Sequence, residues 1–214
     1  QPISVSLMVL GAALIGIGSM WVVAQMSPAP AAYVNRFEVP LRTDENFTGG
    51  GRHIVAASPS GRQFAYVTSA GLSLRSLNQL DPVLVSGTTG TAREPFFSPD
   101  GNWLGFYSNG QLWKVATSGG APVALCDAQN PWGTSWGEDD QILYGQGPEG
   151  IWRVAGTSGI PELVVEVEAG QSAHGPQMLP GGEWILFTLA QSATGGWDSA
   201  QIVAHAVSTG ERVV

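Results

Sequence analysis

Four times in this chain a tight turn hands over to a short apolar segment. Ser58-Pro59-Ser60-Gly61 precedes Phe64-Ala65-Tyr66, and Ser98-Pro99-Asp100-Gly101 precedes Trp103-Leu104-Gly105-Phe106. Gly137-Glu138-Asp139-Asp140 precedes Ile142-Leu143-Tyr144, and Leu179-Pro180-Gly181-Gly182 precedes Trp184-Ile185-Leu186-Phe187. The last residues of these turns stand at 61, 101, 140 and 182, a spacing of 39 to 42 residues. The chemistry of the turn is specific: proline presets φ, aspartate bonds the backbone just ahead of it, and glycine accepts a positive φ. A second apolar segment follows in each unit (Leu72–Leu77, Leu112–Val115, Ile151–Val154, Ile202–Val207), and a third in the middle units (Pro122–Leu125, Glu162–Val165).

A unit of about 40 residues made of short strands cannot bury both faces of its sheet alone, so it must stack against copies of itself. That requirement predicts an all-β chain, a β-propeller with about four blades, in units near 55–95, 96–135, 136–176 and 177–214. The aromatic residues Phe64, Tyr66, Trp103, Phe106, Tyr144, Trp184 and Phe187 recur at equivalent places and are expected to fill the layers between sheets. A helix-pair solenoid of similar period is excluded, because no ten-residue stretch after Gln25 carries a 3.6-residue apolar period. The third unit carries Glu138-Asp139-Asp140 where the others have Pro and Gly, so its turn is expected to differ.

The first stretch of the chain is of another kind. Ile3–Ala24 is 22 residues without a charge or a proline. As a helix it would be about 33 Å long, against a hydrocarbon core of roughly 30 Å. Residues 1–24 are therefore read as a transmembrane α-helix preceding the propeller, in contact with lipid through residues 3–24. A signal peptide is the rival, but its apolar core is normally shorter and follows basic residues. The first basic residue here is Arg36, so charge does not orient the span. Residues 25–54 read as a linker, opening with the Pro/Ala-rich Gln25–Tyr33 and containing Arg36-Phe37-Glu38-Val39-Pro40-Leu41, a candidate closing strand for a blade beyond Val214.

Charge and cysteine usage remove whole classes of function. With one lysine, Lys114, eight arginines and a net charge of −8, the chain has no basic face for nucleic acid. A single cysteine, Cys126, precludes an intramolecular disulfide or a cysteine-based zinc cluster, and its apolar run marks a buried strand thiol. His53, His174 and His205 are scattered, so neither metal nor cofactor is expected. No catalytic residues are assigned. His174, at a unit junction, is the one candidate ligand contact. Ser58, Pro59, Gly61, Ser98, Pro99, Asp100, Gly101, Pro180 and Gly182 are assigned structural roles in the repeat turns.

The Ser98-Pro99-Asp100-Gly101 turn with Trp103-Leu104-Gly105-Phe106 resembles the TolB-like propeller repeat. The wider runs Gly87–Phe106 and Leu112–Asp127, followed by Gly133-Thr134-Ser135-Trp136-Gly137, are similar to the extracytoplasmic propellers of bacterial transmembrane serine/threonine protein kinases. In that family a cytoplasmic kinase domain precedes one membrane helix, and a TolB-like propeller of typically six blades follows. The resemblance implies a sensor or interaction domain on the periplasmic side of the bacterial inner membrane, without enzymatic activity in this chain and with a protein or small-molecule ligand. The sequence contains no His-Arg-Asp and no Asp-Phe-Gly, so the kinase domain itself is not in this stretch. The alternatives are the propeller of a membrane-bound winged-helix transcriptional regulator, or of a hydrolase or peptidase whose active residues lie elsewhere.

Overall fold

A computed structural model describes residues 38, 40–49, 53–192 and 197–214. The span expected at 1–24 and the linker up to residue 37 lie outside the described residues. Within them no helix is long and apolar enough to cross a membrane, and the helical content is one 3-10 turn, Trp197–Ser199.

Among the described residues sixteen strands form four sheets of four. The first sheet holds β1 (Val55–Ala57), β2 (Gln63–Thr68), β3 (Gly71–Ser76) and β4 (Val83–Leu84). The second holds β5 (Arg93–Phe97), β6 (Trp103–Ser108), β7 (Gln111–Ala116) and β8 (Val123–Asp127). The third holds β9 (Thr134–Trp136), β10 (Gln141–Gly145), β11 (Ile151–Ala155) and β12 (Glu162–Val165). The fourth holds β13 (Ser172–Met178), β14 (Trp184–Ala190), β15 (Gln201–Ala206) and β16 (Arg212–Val213). Each sheet is an antiparallel meander in chain order. The first strands lie side by side, β1 against β5, β5 against β9 and β9 against β13, and the sheets fan outward from them.

Units counted from the turn are offset from these sheets. The boundaries near 96, 136 and 177 fall inside β5, β9 and β13, because the turn joins the first strand of a sheet to its second and does not open the sheet.

The turns close in a common way. The amides of Gly61, Gly101, Asp140 and Gly182 donate to the carbonyls of Ser58, Ser98, Gly137 and Leu179. All four donors have positive φ: 65°, 70°, 59° and 74°. Asp140 thus holds the left-handed conformation that glycine fills elsewhere, which aspartate tolerates better than most residues. The third turn does differ. Its closing bond runs from Gly137 to Gln141, whereas the others run from Ser58 to Gln63, Ser98 to Trp103 and Leu179 to Trp184, so it is one residue shorter.

The core is the set of layers between sheets. Val67, Leu72 and Leu74 of the first sheet meet Phe97, Leu104 and Phe106 of the second. Phe96, Leu112 and Cys126 meet Ile142, Tyr144 and Val154. Leu143, Ile151 and Val165 meet Ile185, Phe187 and Val203. Phe106, Tyr144 and Phe187 sit at equivalent positions on each second strand, all but fully buried and facing the preceding sheet. Alternation along the strand sends the intervening residues toward the following sheet. Removing one such ring should cost about 3–5 kcal/mol.

Before β1, Asn46–Thr48 runs along the end of β2: Ser69 N–H donates to Asn46 O at 2.9 Å, and Phe47 bridges Thr68. Of the candidate closing strand, Arg36, Phe37 and Val39 lie outside the described residues. Glu38, Pro40 and Leu41 are in no strand.

Candidate functional site

The ends of the first strands opposite the turns bring four sheets together. Glu94, Gly133 and Gly175 each stand four residues before the residue that opens a turn, and each has positive φ, at 51°, 82° and 60°. The pairing of β5 with β6 and of β13 with β14 shifts register at this point, so the chain bulges and turns a residue toward the neighbouring sheet.

Glu94 is 2% exposed. Its carboxylate accepts the N–H of His53 at 3.3 Å and of Gly133 at 3.2 Å, and lies 3.2 Å from His53 Nδ1. Its own N–H donates to His53 O at 3.2 Å. One buried side chain therefore ties the lead-in to β1, the start of β5 and the start of β9. A left-handed glutamate costs about 1–2 kcal/mol, which these donors offset. The next joint is made by backbone alone. Gly175 N–H donates to Trp132 O at 2.8 Å, and a Cβ on Gly133 would stand 2.5 Å from Gly175 Cα. No residue but glycine fits there.

Around this belt lie the groups that can meet a ligand. The His53 side chain is 67% exposed, and hydrogen bonding to Glu94 raises its pKa above the ordinary value, against the opposing effect of partial burial. Trp132 and His174 are half-buried, with rings 4.7 Å apart and tilted by 46°. His174 Nε2 is 2.9 Å from Ser172 Oγ. The belt thus offers imidazoles and an aromatic face on a rigid support whose carboxylate is already engaged.

His174, singled out from the sequence, is in this belt with His53, whereas His205 is not. It is buried in β15, where burial and Arg212 lower its pKa. Cys126 is buried between the second and third sheets, its thiol pushed up to about 11 by desolvation. Ser58, Pro59, Gly61, Ser98, Pro99, Asp100, Gly101, Pro180 and Gly182 lie at the other end, in or beside the turns. There the Ser58 and Ser98 hydroxyls accept the amides of Gln63 and Trp103, at 3.0 and 2.9 Å. Among the described residues no group of three or more His, Cys, Asp or Glu could hold a metal ion. Glu94, Trp132 and Gly175 were assigned no role in the sequence; for Glu94 and Gly175 the signal was the fixed offset from the turn.

No protein-family model and no curated protein matches the chain. Solved structures do. A protein assigned as TolB from Agrobacterium tumefaciens aligns over 74% of this chain and 59% of its own length, with a TM-score of 0.61 and 18% identity. TolB from Acinetobacter baumannii aligns over 74% and 42%, at TM-score 0.58 and 15% identity. The fold is a TolB-like β-propeller. An oligogalacturonate lyase in complex with manganese shares it more distantly, over 73% of this chain and 50% of the lyase, at TM-score 0.53 and 13% identity. The chain spans less than two thirds of each of these proteins. Its four sheets are propeller blades, and the belt joins them along their innermost strands.

Proposed function

We propose that this chain is an extracytoplasmic interaction module, a propeller that presents the His53–Trp132–His174 surface to a protein or small-molecule ligand. In this reading residues 3–24 hold it at a bacterial inner membrane, and it is the sensor region of a receptor-type serine/threonine protein kinase, with no catalytic step of its own. The observation that carries the binding role is the position of Glu94. Its buried carboxylate, carried by the second blade, bonds His53 ahead of the first and Gly133 at the start of the third, so a ligand that pulls on His53 changes the joint between them. The apolar run Ile3–Ala24 and the kinase-like propeller repeats supply the rest of the reading.

An enzyme domain is the second reading, favoured by the likeness to an oligogalacturonate lyase. The winged-helix regulator is the third, on the same repeat. Sequencing the gene on both sides of this segment separates them: kinase motifs upstream support the sensor, a winged helix the regulator, and a catalytic set the enzyme. The binding role is tested directly by a ligand screen on the chain and its His53→Ala and His174→Ala variants. Ligands whose affinity is unchanged by both substitutions would count against the belt as the site.

A further inference from the structure

At the turn end of the propeller, remote from the belt, the joint between the second and third blades leaves a recess of about 510 Å³. Its walls include Trp103, from the start of β6, and Trp136, from the end of β9. Between them lies Lys114, the only lysine in the sequence. Its ammonium stands 4.4 Å from the centre of the Trp103 ring and 6.0 Å from that of Trp136, and donates to Gly156 O at 2.5 Å. The lysine is thus both a staple between blades and a resident cation on the aromatic pair. Trp136 is held edgewise by Asp140, whose Oδ1 accepts its Nε1–H at 2.9 Å. Gly156 lies so close that a Cβ there would stand 2.4 Å from the Trp136 ring.

Three other polar groups of the recess are uncommitted. Among the described residues the Trp103 indole N–H, the Thr157 hydroxyl and the exposed Glu138 carboxylate have no hydrogen-bond partner. The recess therefore offers aromatic surface, donors and acceptors together, within the size range of ligand sites. An anionic ligand would face Asp100, Glu138 and Asp140. A cationic one would bring only donors and leave the Trp103 indole N–H without an acceptor. A ligand with a C–H face for the rings, and hydroxyls that both donate and accept, satisfies every group.

We propose that this recess binds a neutral saccharide, stacked on Trp103 and Trp136 with its hydroxyls on Glu138, Thr157 and the Trp103 indole N–H. The proposal does not depend on the belt or on membrane attachment. It is tested by following the indole N–H signals of the 15N-labelled chain in a detergent without a sugar head group. The probes are chitotriose, cellotriose, digalacturonate and spermidine. Saturable shifts of the Trp103 and Trp136 signals are expected with a neutral trisaccharide and not with digalacturonate or spermidine. Trp103→Ala should weaken binding about tenfold, and Glu138→Gln, at an exposed position, about threefold with an unchanged melting temperature. If Trp103→Ala does not fold, Glu138→Gln alone decides. The proposal fails if no neutral trisaccharide gives a saturable shift, if spermidine or digalacturonate binds in its place, or if affinity is unaltered in Glu138→Gln.

Discussion

Glu94 shows how one residue can violate a local rule and be held there by its neighbours. Its φ of 51° suits glycine, yet its carboxylate accepts the buried Gly133 amide, the His53 amide and the His53 ring. Glu94→Ala keeps the backbone strain and strands those donors, so it should destabilise by about 2–4 kcal/mol. Glu94→Gly also loses the carboxylate but relieves the strain, and should fall about 1 kcal/mol short of that loss. Denaturant melts of the two variants check the order; equal losses would mean that the strain is not real. Two groups set the response to pH, in opposite directions. The Asp100 carboxyl is held below its usual range by the Ser98 hydroxyl and by the amide N–H groups of Asn102. Its contribution is complete above the ordinary carboxylate pKa and fades as pH falls through the depressed value. The stability gap between the native chain and Asp100→Asn should therefore close in acid. His53 has a raised pKa, so its contribution is complete below the ordinary imidazole value of 6.5 and is lost as pH rises through the raised one. The gap to His53→Gln should be widest in mild acid and close toward alkaline pH, read from melting temperatures across a pH series.

At the scale of strands and turns, glycines that share a conformation do not share a cost. Gly101 has φ 70° and only Pro59, 3.9 Å away, near a would-be Cβ. Gly101→Ala should cost about 1 kcal/mol, the left-handed penalty alone. Gly133 adds a backbone collision with Gly175, which cannot move without opening the joint between the third and fourth blades. Gly133→Ala should cost at least about twice as much, and chemical denaturation of the pair checks the ratio. The same contrast explains what the sequence showed. Turns were legible because Ser-Pro-Asp-Gly encodes its geometry within four residues. So were the second and third strands of each blade, which stand out as short apolar runs. The first strands were not, although they carry the belt. Arg93-Glu94-Pro95 and His174-Gly175-Pro176 bulge, bury polar groups against neighbouring strands and have no alternation to read. Their partners are set by stacking between blades, which leaves no local mark. Trp103 was legible as an aromatic repeat position, but the recess it forms with Trp136 depends on Lys114 reaching the next blade.

Among the described blades each apolar layer belongs to two, so the second and third share two layers and the first and fourth share one. The fourth blade makes this concrete. Ile185, Phe187 and Val203 face the third blade, while Ile202, Ala204 and Val213 lie on the opposite face of the same sheet. Ile202 is 59% exposed and Val213 52%. The blade is tied inward by its layer and by the Arg212 guanidinium, which donates to the Glu166 carbonyl. Nearest-neighbour stabilisation of this kind predicts graded opening, not uniform protection. Amides of β6, β7, β10 and β11 should exchange with solvent most slowly, and those of β15 and β16 fastest among the paired strands. Ile202→Lys then separates burial from exposure. On an exposed face the substitution should change stability by less than about 0.5 kcal/mol and reduce self-association, because it breaks an open apolar patch. Val203→Lys, one residue along, drives a charge into the layer against the third blade and should unfold the fourth blade. Light scattering and hydrogen exchange on the two variants read both effects. A large stability loss in Ile202→Lys would show that this face is covered in solution and would overturn the graded order of the blades.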